Sequence, residues 1–331
     1  MSFNSVNTNR QAVFALQSLN LTNGELGGVQ KRVSTGFRVS DARDDGGAFA
    51  VAQAVRSDIS GVTAVGEQLG GTRGILSTTF ASLSVVSDTM KQVRAVMTRL
   101  ADGGITGTSR QQYEEQYTLL TEQISTFIDD ASYNGRTLLN TNLGEGGGNI
   151  TSIRNESGGT FTIEAVDGEA LKLDTDAFVI TAPQLATLTT LAETNYTAYV
   201  ASVVPPPVPP LPAWGALTAP QQQIYIDAEV FSEKVDRATD AIQAGGSFDL
   251  VDAQISTSLN QFGAQMQFVD NQITYNSKKI DAMNDGLGSL VDADLAKESS
   301  RLQALQTRQQ LGVQTLGLAN QGPQVLLSLF R

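Results

Sequence analysis

The chain has 331 residues, with 22 basic and 34 acidic side chains for a formal net charge of −12, and it contains neither cysteine nor histidine. Without those two residue types there is no disulfide framework, no thiolate or imidazole metal site, and no Ser-His-Asp or Cys-His catalysis. The acidic balance lacks the electrostatic footprint of a nucleic-acid binder, and no run approaches the ~18 apolar residues of a membrane span. Hydrophobic residues make up 40% and aromatics only 6%, a composition suited to long helices with slender seams.

In chain order, the opening MSFNSVNTNR lacks the basic-then-apolar pattern of a cleaved signal peptide. Taken alone this suggests a cytoplasmic protein, with export by another route left open. Residues 1–24 carry a single charge, Arg10, yet Leu19, Leu26 and Val33 recur at seven-residue spacing with Leu16 and Val29 alongside. The charged stretch RVSTGFRVSDARDD (32–45) reads as a solvated turn between helices, with Asp41 as N-cap. The acids Asp44-Asp45 and Asp292/Asp294 suit helix starts, where the dipole favours negative charge, better than metal ligation.

Val55, Val62, Leu69, Leu76, Leu83, Met90 and Met97 are each seven apart, supplemented by Val65, Val86, Val93 and Leu100. A 3.5-residue repeat keeps one narrow apolar stripe facing a partner helix as both supercoil. Gly61, Gly66, Gly70, Gly71 and Gly74 each weaken that helix by up to about 1 kcal/mol, which predicts a break or local irregularity near 70–74. Tyr113, Tyr117, Leu120, Ile124 and Phe127 form a third piece of the same spacing. GEGGGN (144–149) reads as a flexible break; it lacks the Lys-Ser/Thr of a phosphate cradle. FTIEAV (161–166), Asp167-Gly168 and LKL (171–173) together predict a β-hairpin. The prolines between Pro205 and Pro212 form a polyproline II tract or stiff connector.

Helical periodicity returns from about 224. Ile255, Leu259, Phe262, Met266, Val269, Ile273, Asn276, Ile280, Met283, Leu287 and Leu290 alternate spacings of four and three. Asn276 interrupts the seam, either as a buried amide that fixes register or as a group facing water. Residues 302–331 carry two charges and no acid. Leu295, Leu302 and Leu305 lead there into Leu311, Leu318 and Val325. Both chain ends are rich in amides and carry helix-spaced leucines. Helices with amides instead of charges are able to pack on several sides while satisfying their polar groups. The ends are therefore expected to be buried against each other or against other copies, and to order fully only then. Frayed termini are the alternative; they account for the polarity but not for the regular leucines.

The runs SVNTNRQAVFALQSLN and LGGVQKRVSTGFRVSDARDDGGAFAVAQAVRSDISG, the segment YNGRTLLN (133–140) and the C-terminal DADLAKESSRLQALQTRQQLGVQTLGLANQGPQVLLSLFR resemble bacterial flagellin. The resemblance covers roughly 1–143 and 230–331. It implies a mainly α fold: a long coiled-coil helical rod formed by the N- and C-terminal segments, with a small β-containing central insert. The implied layers are an inner-tube helix 1–43, rod helices and hairpin 44–160, a variable outer insert 161–225, a C-terminal rod helix 226–294 and an inner-tube helix 295–331.

The implied function is a structural subunit that polymerises into the helical flagellar filament used for swimming, with no enzymatic activity, cofactor or metal. A hook–filament junction protein shares the terminal pattern and is the alternative. A zinc protease in the insert is excluded by the missing histidines, and a soluble coiled-coil adaptor is opposed by the uncharged ends. Candidate subunit-packing residues are Leu16, Leu19, Leu26, Val33, Arg38, Asp41, Asp44, Leu302, Leu305 and Leu318. Implied partners are further copies of the chain, a secretion chaperone on the C-terminal segment, a filament cap protein and hook–filament junction proteins. Nucleic acid and membrane insertion are not expected. The implied location is the extracellular filament, reached through type III export without a cleaved signal peptide. In receptor-active members an Arg stands where this chain has Gln92 and an acidic residue where it has Gln116, while Arg94 matches a family Arg. That pattern implies weak or absent innate-receptor signalling.

Overall fold

A computed structural model describes residues 9–203 and 211–329, with side chains up to residue 321. The Pro205–Pro210 part of the proline tract, the side chain of Val325 and the terminal Arg331 lie outside the described residues. Seven α-helices and one two-stranded sheet are found among them: α1 Arg10–Thr35, α2 Gly46–Leu100, α3 Gly107–Asp129, β1 Ile150–Ile153, β2 Thr160–Ile163, α4 Ala182–Ser202, α5 Ala219–Ile242, α6 Ser247–Val291 and α7 Leu295–Leu329. The fold is thus mainly α with a small β element. The chain forms two compact units, one made of residues 1–66 and 275–331 and the other of 67–274.

In the unit spanning 67–274 the heptad arithmetic is realised almost completely. Leu69, Leu76, Leu83, Val86, Met90, Val93 and Leu100 on α2 have 0% of their surface exposed, as do Ile255, Phe262 and Val269 on α6 and Ile124 on α3. Burying each such side chain contributes roughly 1.5–3 kcal/mol. The break predicted near 70–74 is absent, since α2 runs unbroken from Gly46 to Leu100. Gly74 is explained by a distant residue: a Cβ built on it would lie 2.8 Å from Cζ of Tyr133. The glycine makes room for a ring and marks no discontinuity. The buried alternative holds for Asn276, which is 3% exposed.

The hairpin forms elsewhere than predicted. Phe161 and Ile163 pair backwards with Ser152 and Ile150 in an antiparallel ladder, and Asp167-Gly168 leads into a short 3₁₀ turn, Glu169–Leu171. The GEGGGN segment is no loose break either. A Cβ on Gly147 would lie 2.2 Å from the carbonyl oxygen of Asn140, and the Gly148 amide donates to that same oxygen at 2.7 Å. These glycines permit close backbone approach.

Among its described residues the insert holds one complete α-helix, α4, and the start of α5. α4 packs on α5, and both begin with the same tetrapeptide, Thr-Ala-Pro-Gln, at 181–184 and 218–221. Each forms a capping box: the Thr181 amide donates to Gln184 Oε1 at 2.9 Å and the Thr218 amide to Gln221 Oε1 at 2.8 Å. Proline one position after the first helical residue completes the start signal, because its missing N–H has no intrahelical partner to lose. The segment 226–294, expected as one rod helix, is two helices. α5 ends at Ile242 and α6 starts at Ser247, across a turn in which Gly245 takes φ +82°.

Candidate assembly surface

The unit built from both chain ends is organised around the pairing of α1 with α7. On α1 the residues facing α7 follow a helical period, and Leu26, Val29 and Leu305 form a buried cluster flanked by Val33 and Leu302. Leu19 extends the seam, because a Cβ built on Gly312 would lie 3.2 Å from its Cδ1. Polar side chains pin the pair along its length. Gln309 Nε2 donates to Asn23 Oδ1 at 2.7 Å, Asn9 Nδ2 donates to the Ala319 carbonyl at 2.7 Å, and Arg32 lies 3.4 Å from Glu298. Five of the predicted packing residues, Leu19, Leu26, Val33, Leu302 and Leu305, are thereby brought together within one chain.

The other faces of these helices are apolar yet open. Phe14 is 71% exposed, Leu21 66% and Leu318 67%, and Leu16, Val13, Leu311 and Val313 are also exposed. Helix α1 therefore carries two apolar faces: one is finished by α7 and one has no partner among the described residues. Exposed apolar side chains in a contiguous array mark an interaction surface.

Beyond the C-cap of α1, where Gly36 adopts φ +76°, the chain is fastened to the end of α6. The Arg38 and Val39 amides donate to the Val291 carbonyl at 2.7 and 3.2 Å, and the Ala293 amide donates to the Gly36 carbonyl at 2.9 Å. Arg38 adds a bond from Nη2 to the Leu290 carbonyl at 2.6 Å. Val39, Ala52 and Val291 are buried beneath this clamp, with Phe49 and Leu287 packed against them.

The charged turn has Lys31 as its hub, a role the sequence pattern alone did not expose. Its ammonium lies 2.7 Å from Asp41 and 3.0 Å from Asp44. Asp44 Oδ2 also accepts from the Ser40 amide and hydroxyl at 3.0 and 2.9 Å. Hydrogen bonding to Lys31 and Ser40 holds the Asp44 carboxyl well below the ordinary carboxylate range, and hydrogen bonds to Asp41 and Asp44 raise the Lys31 ammonium. The N-cap of α2 is Asp45, not Asp41: Asp45 Oδ1 accepts from the Ala48 amide at 3.0 Å. Asp41 instead accepts from the Arg43 amide at 2.8 Å. Asp294 caps α7 through the Ala296 and Lys297 amides, both at 3.1 Å. Among the described residues no group of three or more acids lies close enough to hold a metal ion. No described helix is long and apolar enough to cross a membrane.

In the unit 67–274, Gln92 and Gln116 are exposed. Arg94 is partly committed, lying 3.5 Å from Asp252 and 4.9 Å from the centroid of the Phe248 ring.

Heptad-packed helices and an apolar helix face left open describe a helical chain with a surface suited to association. The family model described as the bacterial flagellin N-terminal helical region matches residues 6–143, and that of the C-terminal helical region matches 248–330. The chain is 28% identical over 331 residues to flagellin FljO of Caulobacter vibrioides, covering 100% of both chains. It is 30% identical to flagellin FljJ of the same organism, covering 99% of this chain and 98% of the relative. With a Brucella melitensis flagellin it shares 29% identity, covering 99% of each. The chain belongs to the bacterial flagellin family, and its function is that of a non-enzymatic structural subunit of the flagellar filament, an extracellular appendage built by self-assembly.

Proposed function

We propose that the open apolar faces of α1 and α7 are covered by neighbouring copies in the filament, and that this burial drives polymerisation. The carrying observation is the two-faced character of α1: Leu26 and Val29 are buried against Leu305, while Phe14 and Leu21 on the same helix stand exposed. In this reading Leu16 and Leu318 serve contacts between copies in the inner tube, 1–43 and 295–331, and Leu19 continues the pairing of α1 with α7. Leu26, Val33, Leu302 and Leu305 hold the pair that presents those contacts. Arg38, Asp41 and Asp44 shape the turn leading into the rod, 44–160 and 226–294. The insert, 161–225, forms the outer layer. Each subunit then offers different surfaces to different neighbours, and such contacts generate an open helical polymer.

The same exposed apolar stripe on α7 suits a secretion chaperone that covers it before export, through a route that reads no cleaved signal peptide. A cap protein would fold incoming subunits, and junction proteins would seat the first of them. Gln92 and Gln116, where receptor-active relatives have Arg and an acid, support weak innate-receptor signalling, with Arg94 partly engaged by Asp252.

Electron microscopy after salt-induced assembly tests the reading. The full chain is expected to give filaments, and a chain lacking residues 1–40 and 292–331 to give none. Equal polymerisation by both defeats it.

A further inference from the structure

The unit 67–274 holds a groove of about 820 Å³ whose role the terminal helices do not explain. One wall is α3, through Glu115, Leu119 and Glu122; the other comes from Val179 and from Val230 and Lys234 of α5. Leu119 is 66% exposed and Val179 56%, so the groove is apolar and open. Its rim is acidic. Lys234 is committed to Glu114 at 2.7 Å, while Glu115 and Glu122 form no ion pair among the described residues. The α3 wall lies within the family-matched region 6–143, but residues 175–180 and 230–234 lie outside both matched regions. The groove is therefore made where segments outside both matched regions, 175–180 and part of α5, lean on the matched helix α3.

The same unit carries a projection of complementary character. Tyr133 and Arg136 exchange backbone hydrogen bonds at 2.8 and 3.0 Å around Asn134 (φ 51°) and Gly135 (φ 72°), a tight turn of the hairpin type. The turn is stitched to the following lobe by the Thr137 amide, which donates to the Gly146 carbonyl at 3.1 Å. Arg136 is exposed and forms no ion pair among the described residues. Leu143, in that lobe, is 78% exposed. The projection thus offers one cation and one large apolar side chain, where the groove offers two acids without an ion pair among the described residues, Glu115 and Glu122, and an open apolar lining. Groove and projection are separated along the helix axis: from Glu115 to Asp129, the end of α3, is ~21 Å at ~1.5 Å per residue.

We propose that the groove walled by Leu119 and Val179 receives the 133–146 lobe of a neighbouring copy, with Arg136 facing Glu115 and Glu122 and Leu143 against the apolar lining. The proposal rests on self-assembly of the chain. A projection and its acceptor at separate places on one molecule make a head-to-tail contact that is able to repeat from copy to copy, as a filament requires. Opposite charges fix its register.

The chain has no cysteine, so introduced thiols report without background. Filaments of a Val179→Cys/Leu143→Cys double variant, oxidised and run without reductant, are expected to give a ladder of covalent oligomers. Either single variant, or the dilute double-variant monomer, is expected to give none beyond a dimer. Filaments that yield no ladder overturn the proposal while leaving self-assembly intact. Arg136→Glu is expected to raise the critical concentration several-fold, and Arg136→Glu/Glu122→Lys to restore it; failure of that rescue also counts against the pairing. Should the cysteine variant not polymerise, electron cryomicroscopy of unsubstituted filaments decides. Arg136 of one copy at ion-pair distance from Glu115 or Glu122 of the next supports the proposal, and a groove that is empty or filled by another segment overturns it. An unsubstituted chain that forms no filaments defeats the assembly reading and this proposal with it.

Discussion

The rod helices and the terminal pair use the same seven-residue leucine grammar to opposite ends. On α2 the repeat is closed within one chain, with Leu69, Leu76, Leu83 and Met90 fully buried. On α1 and α7 only a short seam around Leu26, Val29 and Leu305 is closed, and Phe14, Leu21, Leu311 and Leu318 stay exposed. The difference lies in the number of apolar faces, not in periodicity. One stripe needs one partner, which the chain supplies. Two stripes on one helix need a second partner, which the described residues do not supply. Charge separates the regions as well. A wet helix face is normally lined with Lys and Glu, whereas the back of α1 offers Gln17 and Asn20, amides that remain satisfiable when buried.

Substitutions break the comparison in order of expected size. Leu76→Ala, in the closed seam, is expected to cost about 2–5 kcal/mol of monomer stability, measured by denaturant unfolding. Leu318→Ala is expected to leave the same curve within about 0.5 kcal/mol and instead raise the critical concentration for assembly, read by sedimentation. If both residues acted alike in the monomer, the contrast between closed and open seams would fail.

Gly74→Ala sharpens the account of the rod. Helix propensity alone predicts a gain of about 1 kcal/mol, but overpacking against Tyr133 predicts a loss of about 1–3 kcal/mol. The loss is expected to win, and Tyr133→Ala in the same chain to restore the gain, in thermal unfolding.

The smallest effect concerns the turn that joins the regions in sequence. Asp44 has a lowered folded-state pKa, so its contribution is present above the ordinary value of 3.8 and fades as pH falls towards the depressed one. Lys31 has a raised one, so its share is present below 10.5 and is lost as pH climbs past that value. The stability difference between the native chain and Asp44→Asn is therefore expected to be flat from about pH 5 to 9 and to shrink below about 4, in paired thermal melts. The groups are exposed, which keeps the effect modest.

Much of this was legible in the sequence because heptad spacing is local. The seams from Val62 to Met97 and from Ile255 to Asn276 were readable from residue numbers alone. What stayed hidden depends on partners distant in the chain. Gly74 reads as a helix weakness until Tyr133 is placed upon it. Phe161 and Ile163 read as half of a hairpin with the residues that follow, and their partners turn out to precede them. Helix α4 was masked by threonines, whose hydroxyls at 187, 190, 194 and 197 donate to carbonyls four residues back. A signal was present all the same: the repeated Thr-Ala-Pro-Gln marks both insert helices. The packing residues were legible as leucines on a stripe, but which of them would be closed within the chain was not. That depends on the rotational setting of α1 against α7, and spacing does not encode it.

The pins between α1 and α7 join residues separated by 266, 286 and 310 positions. Nearly the whole polypeptide must be made before the first helix meets the surface that steadies it. During synthesis that segment has no tertiary support, and an isolated helix of its length is marginal in water. Contacts this remote in sequence form late. The N-terminal helix is thus the earliest part of the chain to be translated and among the last to become secure.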